Sequence, residues 1–130
     1  MKLLRMMMAV LLLCGVMAGR AEEKAVINVG PEEAAALLAK NTNVVVLDIR
    51  TAKEFQEGHL KGATNVDFYA DDFKEKLKSL DKSKTYLLHC ASGGRSSQAR
   101  ETMKEMKFQS LYHLDGGFKA WQKASKPVEK

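Results

Sequence analysis

A single α/β domain, with a central mainly parallel sheet flanked by helices, is the fold class that the sequence predicts. Apolar runs rich in β-branched residues alternate along the chain with helix-forming stretches. The connections between them are short, and no repeat, linker or low-complexity tract intervenes. With 130 residues the chain has room for one domain and little more.

Each element has a local cause. Ala25 to Val29 is short and β-leaning. Gly30-Pro31-Glu32-Glu33 opens a helix, with proline early and carboxylates near the positive end of the dipole. Good helix formers carry it to Lys40, and Asn41-Thr42-Asn43 ends it. Val44 to Leu47 is a continuous apolar run, as in a strand buried on both faces. Thr51 to Glu57 makes a short helix stopped by Gly58.

A second cycle follows. Ala63 to Val66 reads as a strand, and Tyr69 to Leu80 as a helix with Phe73, Leu77 and Leu80 on one face. Thr85 to His89 is a strand that ends at Cys90. Arg95 to Lys107 is helical, with Ala99, Met103 and Met106 toward the core. Leu111 to Leu114 is a last strand, Gly116-Gly117 a turn and Phe118 to Lys123 a final helical turn. The polar tail after Ala124 is expected to be loose.

The first 21 residues read as a secretory signal peptide, leaving a domain over residues 22–130. Lys2 and Arg5 form a basic start, Met6 to Ala18 an apolar run of 13 residues, and Gly19 and Ala21 a small-residue end. A run of that length falls short of the roughly 17 residues that cross a bilayer. An uncleaved anchor or a lipid on Cys14 is the weaker reading, since Leu13 stands where a lipid-attachment motif wants a small residue. Export to the periplasm is the expectation, with no membrane attachment after cleavage.

Removing the leader changes the charge. The whole chain has 21 Lys and Arg against 16 Asp and Glu; without Lys2, Arg5 and Arg20 it keeps 18 against 16, a net charge of +2. Cleavage after Ala18 would retain Arg20 and give +3. Neither supports nucleic-acid binding, and the lysines between Lys74 and Lys84 interleave with Glu and Asp as on a solvated helix. Two cysteines cannot build a disulfide scaffold, and no Cys/His cluster offers zinc four ligands.

One cysteine then remains, Cys90, followed by Ala91-Ser92-Gly93-Gly94-Arg95-Ser96 and a helix. In open α/β sheets, ligands collect at the carboxyl ends of strands. A thiol there faces unpaired amides and the positive end of a helix dipole, so its thiolate is favoured. Gly93 and Gly94 permit the backbone angles of an anion nest, and Arg95 adds a permanent positive charge. An ordinary cysteine with a pKa near ~8.5 is about 3% thiolate at pH 7. A shift of about 2 units, or about 2.7 kcal/mol, makes it mostly thiolate. Cys90 is therefore a candidate nucleophile.

The Cys90 to Ser96 segment resembles the active loop of the single-domain rhodanese-like sulfurtransferases, written C-x-x-G-x-R-S. Asp48-Ile49-Arg50, Glu54-Phe55 and Gly58-His59-Leu60-Lys61-Gly62-Ala63-Thr64-Asn65 are similar to that family's amino-terminal signature. Leu114-Asp115-Gly116-Gly117-Phe118-Lys119-Ala120-Trp121 is similar to its carboxyl-terminal one. The resemblance implies a persulfide on Cys90, formed from a small anionic sulfur donor such as thiosulfate. It implies that the amides from Ala91 to Ser96 hold the persulfide and that a thiophilic acceptor, cyanide or a thiol including a protein thiol, takes the sulfur. It further implies that Arg95 attracts the donor, that Ser96 caps the helix and braces the loop, and that the chemistry needs neither metal nor organic cofactor.

Other residues receive plainer roles. Asp48 and Arg50 fix neighbouring loops, with Glu54 as a further ionic partner; His59 anchors a loop; Trp121 is core. Strand alternation points His89 away from the Cys90 side, and His113 has no evident partner. The protein is expected to be a monomer. Two rivals are a non-turnover sulfur carrier or docking module of the same type, and a cysteine phosphatase. Phosphatases place five residues between Cys and Arg, whereas four stand between Cys90 and Arg95. Thioredoxin-like chemistry lacks its second cysteine, since position 93 is Gly.

Overall fold

The computed structural model describes residues 26–130. The expected leader, Cys14 and the first residue of the first expected strand, Ala25, lie outside the described residues. Among the described residues five strands and five helices follow one another: β1 (Ile27–Val29), α1 (Pro31–Lys40), β2 (Val45–Asp48), α2 (Ala52–Gln56), β3 (Thr64–Asn65), α3 (Phe73–Ser79), β4 (Thr85–His89), α4 (Gly94–Glu105), β5 (Ser110–Leu114) and α5 (Gly117–Lys123). Their order in the sheet is β1-β5-β4-β2-β3, and every pairing is parallel. The α/β class and the parallel sheet are as the alternating pattern predicts.

β4 is the middle strand, paired to β5 on one side and β2 on the other. Its side chains alternate between two cores. Tyr86, Leu88 and Cys90 join Leu47, Phe73, Leu77, Ala99 and Met103 on the face that α3 and α4 cover. Leu87 joins Ala34, Val46, Leu114, Phe118 and Trp121 on the face of α1 and α5. Because both faces are covered, the strands need apolar residues at consecutive positions, which is why Val45 to Leu47 and Tyr86 to Leu88 lack polar alternation. Among the described residues no helix is long and apolar enough to cross a membrane.

Two expectations are corrected. The α3 helix begins at Phe73, four residues later than its periodicity suggests. The Asp67 carboxylate accepts the Tyr69 N–H at 2.9 Å and its carbonyl the Ala70 N–H at 3.1 Å, a turn that competes with helix over Tyr69 to Asp72. The tail is tied down. Glu129 and His59 exchange two backbone hydrogen bonds of 2.8 Å, and Glu129 Oε1 accepts from the Gly62 amide at 3.0 Å. The Trp121 indole donates to the Pro127 carbonyl at 2.9 Å, and Lys126 pairs with Glu32 at 2.7 Å.

Candidate functional site

Cys90 lies where β4 leaves the sheet. Gly93, with φ +117°, takes a left-handed conformation open to glycine and serves as the cap from which α4 starts at Gly94. That turn folds the chain back over the sulfur. The Gly93 N–H donates to Cys90 Sγ at 3.1 Å and the Ser96 N–H at 3.4 Å, while Ser96 Oγ stands 3.2 Å away. Cys90 is 1% exposed, so a reactant meets the sulfur only through the mouth of the loop. Ser92 and Gly94 are exposed at that mouth, Ala91, Gly93 and Arg95 are half-buried, and Ser96 is buried.

Burial alone pushes the Cys90 thiol up. Hydrogen bonds from the Ser96 hydroxyl and from the amides of Ser96, Gly93 and Ser92 outweigh it, so the net shift is downward. The chain after β5 supports the same loop from below. The Phe118 and Lys119 amides donate to the Cys90 and Ala91 carbonyls, both at 2.9 Å. These bonds hold both carbonyl groups of the loop in place.

Ser96 does not cap α4, contrary to expectation: the cap is Gly93, and Ser96 is the third helical residue. Its hydroxyl is instead placed between Cys90 Sγ and His113 Nε2, the latter at 2.7 Å. His113, which has no evident partner along the chain, is thus joined to the candidate nucleophile through one hydroxyl. It sits inside β5, and β5 lies beside β4, which accounts for the meeting.

Arg95 carries its charge at the loop, but its guanidinium is engaged. Nη1 and Nη2 donate to Glu54 Oε1 and Oε2 at 2.8 and 3.0 Å. Its Cζ lies 5.6 Å from the Tyr69 ring centroid. The Thr51 hydroxyl and the Glu54 carboxylate also form a reciprocal capping box at the start of α2. The Arg95 hydrogen bonds, helped by those from Thr51 and opposed by partial burial, lower the Glu54 pKa to about 2. A carboxylate lowered in the fold stabilises above its unfolded value near 4.5 and loses that contribution as pH falls toward 2. Because the pair is partly solvated, it contributes about 0.5–1 kcal/mol. Glu54→Gln should therefore lower the urea midpoint at pH 7 and shrink the change in that midpoint between pH 4.5 and pH 2.

Asp48 and Arg50 form a buried pair with an Nη2 to Oδ2 distance of 2.7 Å. The sequence joined Glu54 to them; the structure gives Glu54 to Arg95. Arg50 also donates to the Gly58 carbonyl at 2.7 Å and stacks 3.9 Å over the Phe118 ring. The Asn65 amide group bonds the Asp48 and Arg50 carbonyls, each at 2.9 Å. These contacts hold the loops after β2 and α2 in place. His59 is a loop anchor, as expected: Nδ1 meets the Phe55 carbonyl at 2.9 Å and its ring stacks on Phe55 at 3.9 Å. His89 faces away from the sulfur. Its Nδ1 donates to the Cys90 carbonyl at 2.9 Å, and burial holds its imidazole below the usual pKa.

An open parallel α/β sheet with one buried cysteine in an amide-lined loop at the end of its central strand defines the class structurally. The pattern of the rhodanese-like domain matches residues 30–124, and the chain belongs to the rhodanese-like domain family. A thiosulfate sulfurtransferase, GlpE, of Pseudomonas entomophila is 34% identical over 95 residues, covering 72% of this chain and 83% of that protein. The probable adenylyltransferase/sulfurtransferase MoeZ of Mycobacterium tuberculosis is 30% identical over 115 residues; the match spans 88% of this chain but only 29% of MoeZ. Among solved structures, a rhodanese-related protein of Thermoplasma volcanium superposes with a TM-score of 0.70 at 24% identity, covering 79% of this chain and 97% of that one. A Rhodopseudomonas palustris protein described as a possible tyrosine phosphatase gives 0.64 at 28% identity, with coverage of 80% and 85%.

Proposed function

We infer that this rhodanese-like domain is a sulfurtransferase that moves sulfane sulfur from a donor such as thiosulfate to a thiophilic acceptor through a Cys90 persulfide. The observation that carries the reading is the Cys90 sulfur enclosed by amide hydrogens of its own loop, with the thiolate favoured. The Cys90 thiolate attacks the outer sulfur of thiosulfate; a new S–S bond forms and the old one breaks, its electron pair leaving with sulfite. An acceptor such as cyanide or a thiolate then attacks the outer sulfur, and Cys90 leaves as thiolate again. The loop from Ala91 to Ser96 would surround the bound sulfur. Arg95, already neutralised in part by Glu54, would bias the mouth toward anions.

The similarity to a named thiosulfate sulfurtransferase supports thiosulfate as donor, and the apolar amino-terminal run supports a leader over residues 1–21 with periplasmic delivery. The phosphatase reading draws on the R. palustris likeness. The loop runs against it, since four residues rather than five separate Cys90 from Arg95 and make a smaller ring.

Intact mass after thiosulfate treatment tests the proposal. One added sulfur atom is expected, removed by cyanide. A protein that thiosulfate leaves unlabelled, but that takes sulfur from a protein persulfide, is a carrier. Hydrolysis of a phenyl phosphate without sulfur transfer would overturn both.

A further inference from the structure

Behind Cys90 runs a chain of polar groups that starts at Ser96, the last residue of the loop motif, and continues beyond the motif to His113, Asn28 and Arg100. Ser96, fully buried, stands 3.2 Å from Cys90 Sγ and 2.7 Å from Nε2 of His113, which is 3% exposed. On the far side of the ring, His113 Nδ1 lies 3.1 Å from Asn28 Oδ1 in β1. Arg100 Nη1 in α4 donates to the same Asn28 oxygen at 3.2 Å and approaches Nδ1 at 3.4 Å. Two hydrogen placements satisfy these distances: on Nδ1, donating to Asn28 and leaving Nε2 a bare acceptor for the Ser96 hydroxyl, or on Nε2, with Nδ1 accepting from Arg100; the relay uses the first.

We propose that His113 is a positioning residue that, through Ser96, takes the proton of Cys90 when the thiol ionises. The Cys90 S–H bond breaks and its electron pair stays on sulfur. Ser96 Oγ accepts that proton and passes its own to His113 Nε2. The products are a thiolate, a neutral hydroxyl and an imidazolium. The two donors between the imidazole and the sulfur then point toward it: Nε2–H to Ser96, and Ser96 O–H to Cys90. The reversal of direction, rather than any movement of heavy atoms, is what stabilises the nucleophile.

The groups facing His113 set how far this goes. Burial, the Arg100 guanidinium in α4 and His89 in β4 disfavour its charged form, whereas Asp115 just beyond β5 favours it. Asn28 in β1 and Ser96 in α4 are neutral partners. The thiolate at the other end of the chain is the added charge that makes the imidazolium tenable. The proposal rests on Cys90 being the nucleophile, as in the sulfurtransferase reading, but not on which donor or acceptor it serves.

The test measures iodoacetamide alkylation of Cys90 against pH in wild type, His113→Gln, Ser96→Ala and the double variant. Glutamine can bond Ser96 but cannot hold the proton. The alkylation midpoint should rise by about one pH unit in His113→Gln, a roughly tenfold slower reaction below the midpoint. The double variant should shift no further than Ser96→Ala, because His113 acts only through that hydroxyl. An unmoved midpoint in His113→Gln, or additive shifts, overturns the proposal. Should the variants fail to fold, nitrogen-15 spectra of the wild type decide. Neutral His113 must carry its hydrogen on Nδ1, and its titration midpoint must fall when Cys90 is alkylated; the other tautomer, or an unchanged midpoint, overturns it. Alkylation needs no sulfur donor, so a protein that shows the shift but forms no persulfide sinks the sulfurtransferase reading alone.

Discussion

Cys90→Ser is expected to abolish persulfide formation and to reduce sulfur transfer from thiosulfate to cyanide by at least ~10³-fold, or about 4 kcal/mol in activation free energy. A hydroxyl is scarcely ionised at neutral pH and cannot form the S–S bond through which the sulfur is carried. The fold should survive. The substituted hydroxyl would keep the Gly93 and Ser96 amides and the Ser96 hydroxyl within reach. It would be more polar than the thiol in a core cluster that also holds Leu88 and Ala99, and the stability change should stay within about 1 kcal/mol. Mass spectrometry, a cyanide-coupled rate and urea denaturation of the variant together check all three statements. A variant that still gains and transfers sulfur would remove Cys90 from the mechanism.

Gly117→Ala should have the second-largest effect, on the fold and on the site together. Gly117 has φ +62°, a region that L side chains rarely adopt. A Cβ built there would stand 2.7 Å from the Cys90 carbonyl oxygen and 2.8 Å from the Ala91 carbonyl carbon and oxygen. All of these are backbone atoms of the active loop, so no side chain can rotate out of the way. The loop must shift, and with it the bonds from Phe118 and Lys119 to its carbonyls. We expect a loss of about 2–4 kcal/mol in stability and a drop of more than tenfold in persulfide formation. Gly62→Ala is the comparison: its φ is +71°, but nothing lies within 4 Å of the added methyl. That change should cost about 1 kcal/mol, the backbone strain alone, and leave the sulfur chemistry intact. Urea midpoints and the labelling rate of each variant separate the two effects; equal losses in both would show that the close approach at Gly117 is unimportant.

What the sequence revealed about the molecule divides along chain distance. The Cys90 to Ser96 loop was legible because its strand, its glycines and its helix are contiguous, and short-range geometry decides where their amides point. The strands were legible because both faces of the sheet are covered, so Val45 to Leu47 and Tyr86 to Leu88 had to be apolar throughout. Contacts across the fold left no such trace. Arg95 and Glu54 are 41 positions apart, and nothing local marks one as the other's partner. His113 gave no signal because its partners come from β1 and α4, brought to it by strand order. The tail looked unstructured by composition, yet its backbone finds His59 and its Pro127 carbonyl finds Trp121. The early residues of α3 failed for a local reason: the Asp67 turn outcompetes helix over Tyr69 to Asp72.

The position of Cys90, the candidate nucleophile, at the end of β4 has a dynamic consequence. Opening of a native sheet starts at its margins, and here the margins are β1, three residues long, and β3, two residues long. β4 is flanked on both sides, so its amides can exchange with solvent only when β2 or β5 also lets go. Fraying at the margins would leave the amide cup around Cys90 assembled. The Cys90 sulfur therefore belongs to the slowest-opening part of the molecule, and loss of the cup should coincide with global unfolding rather than precede it.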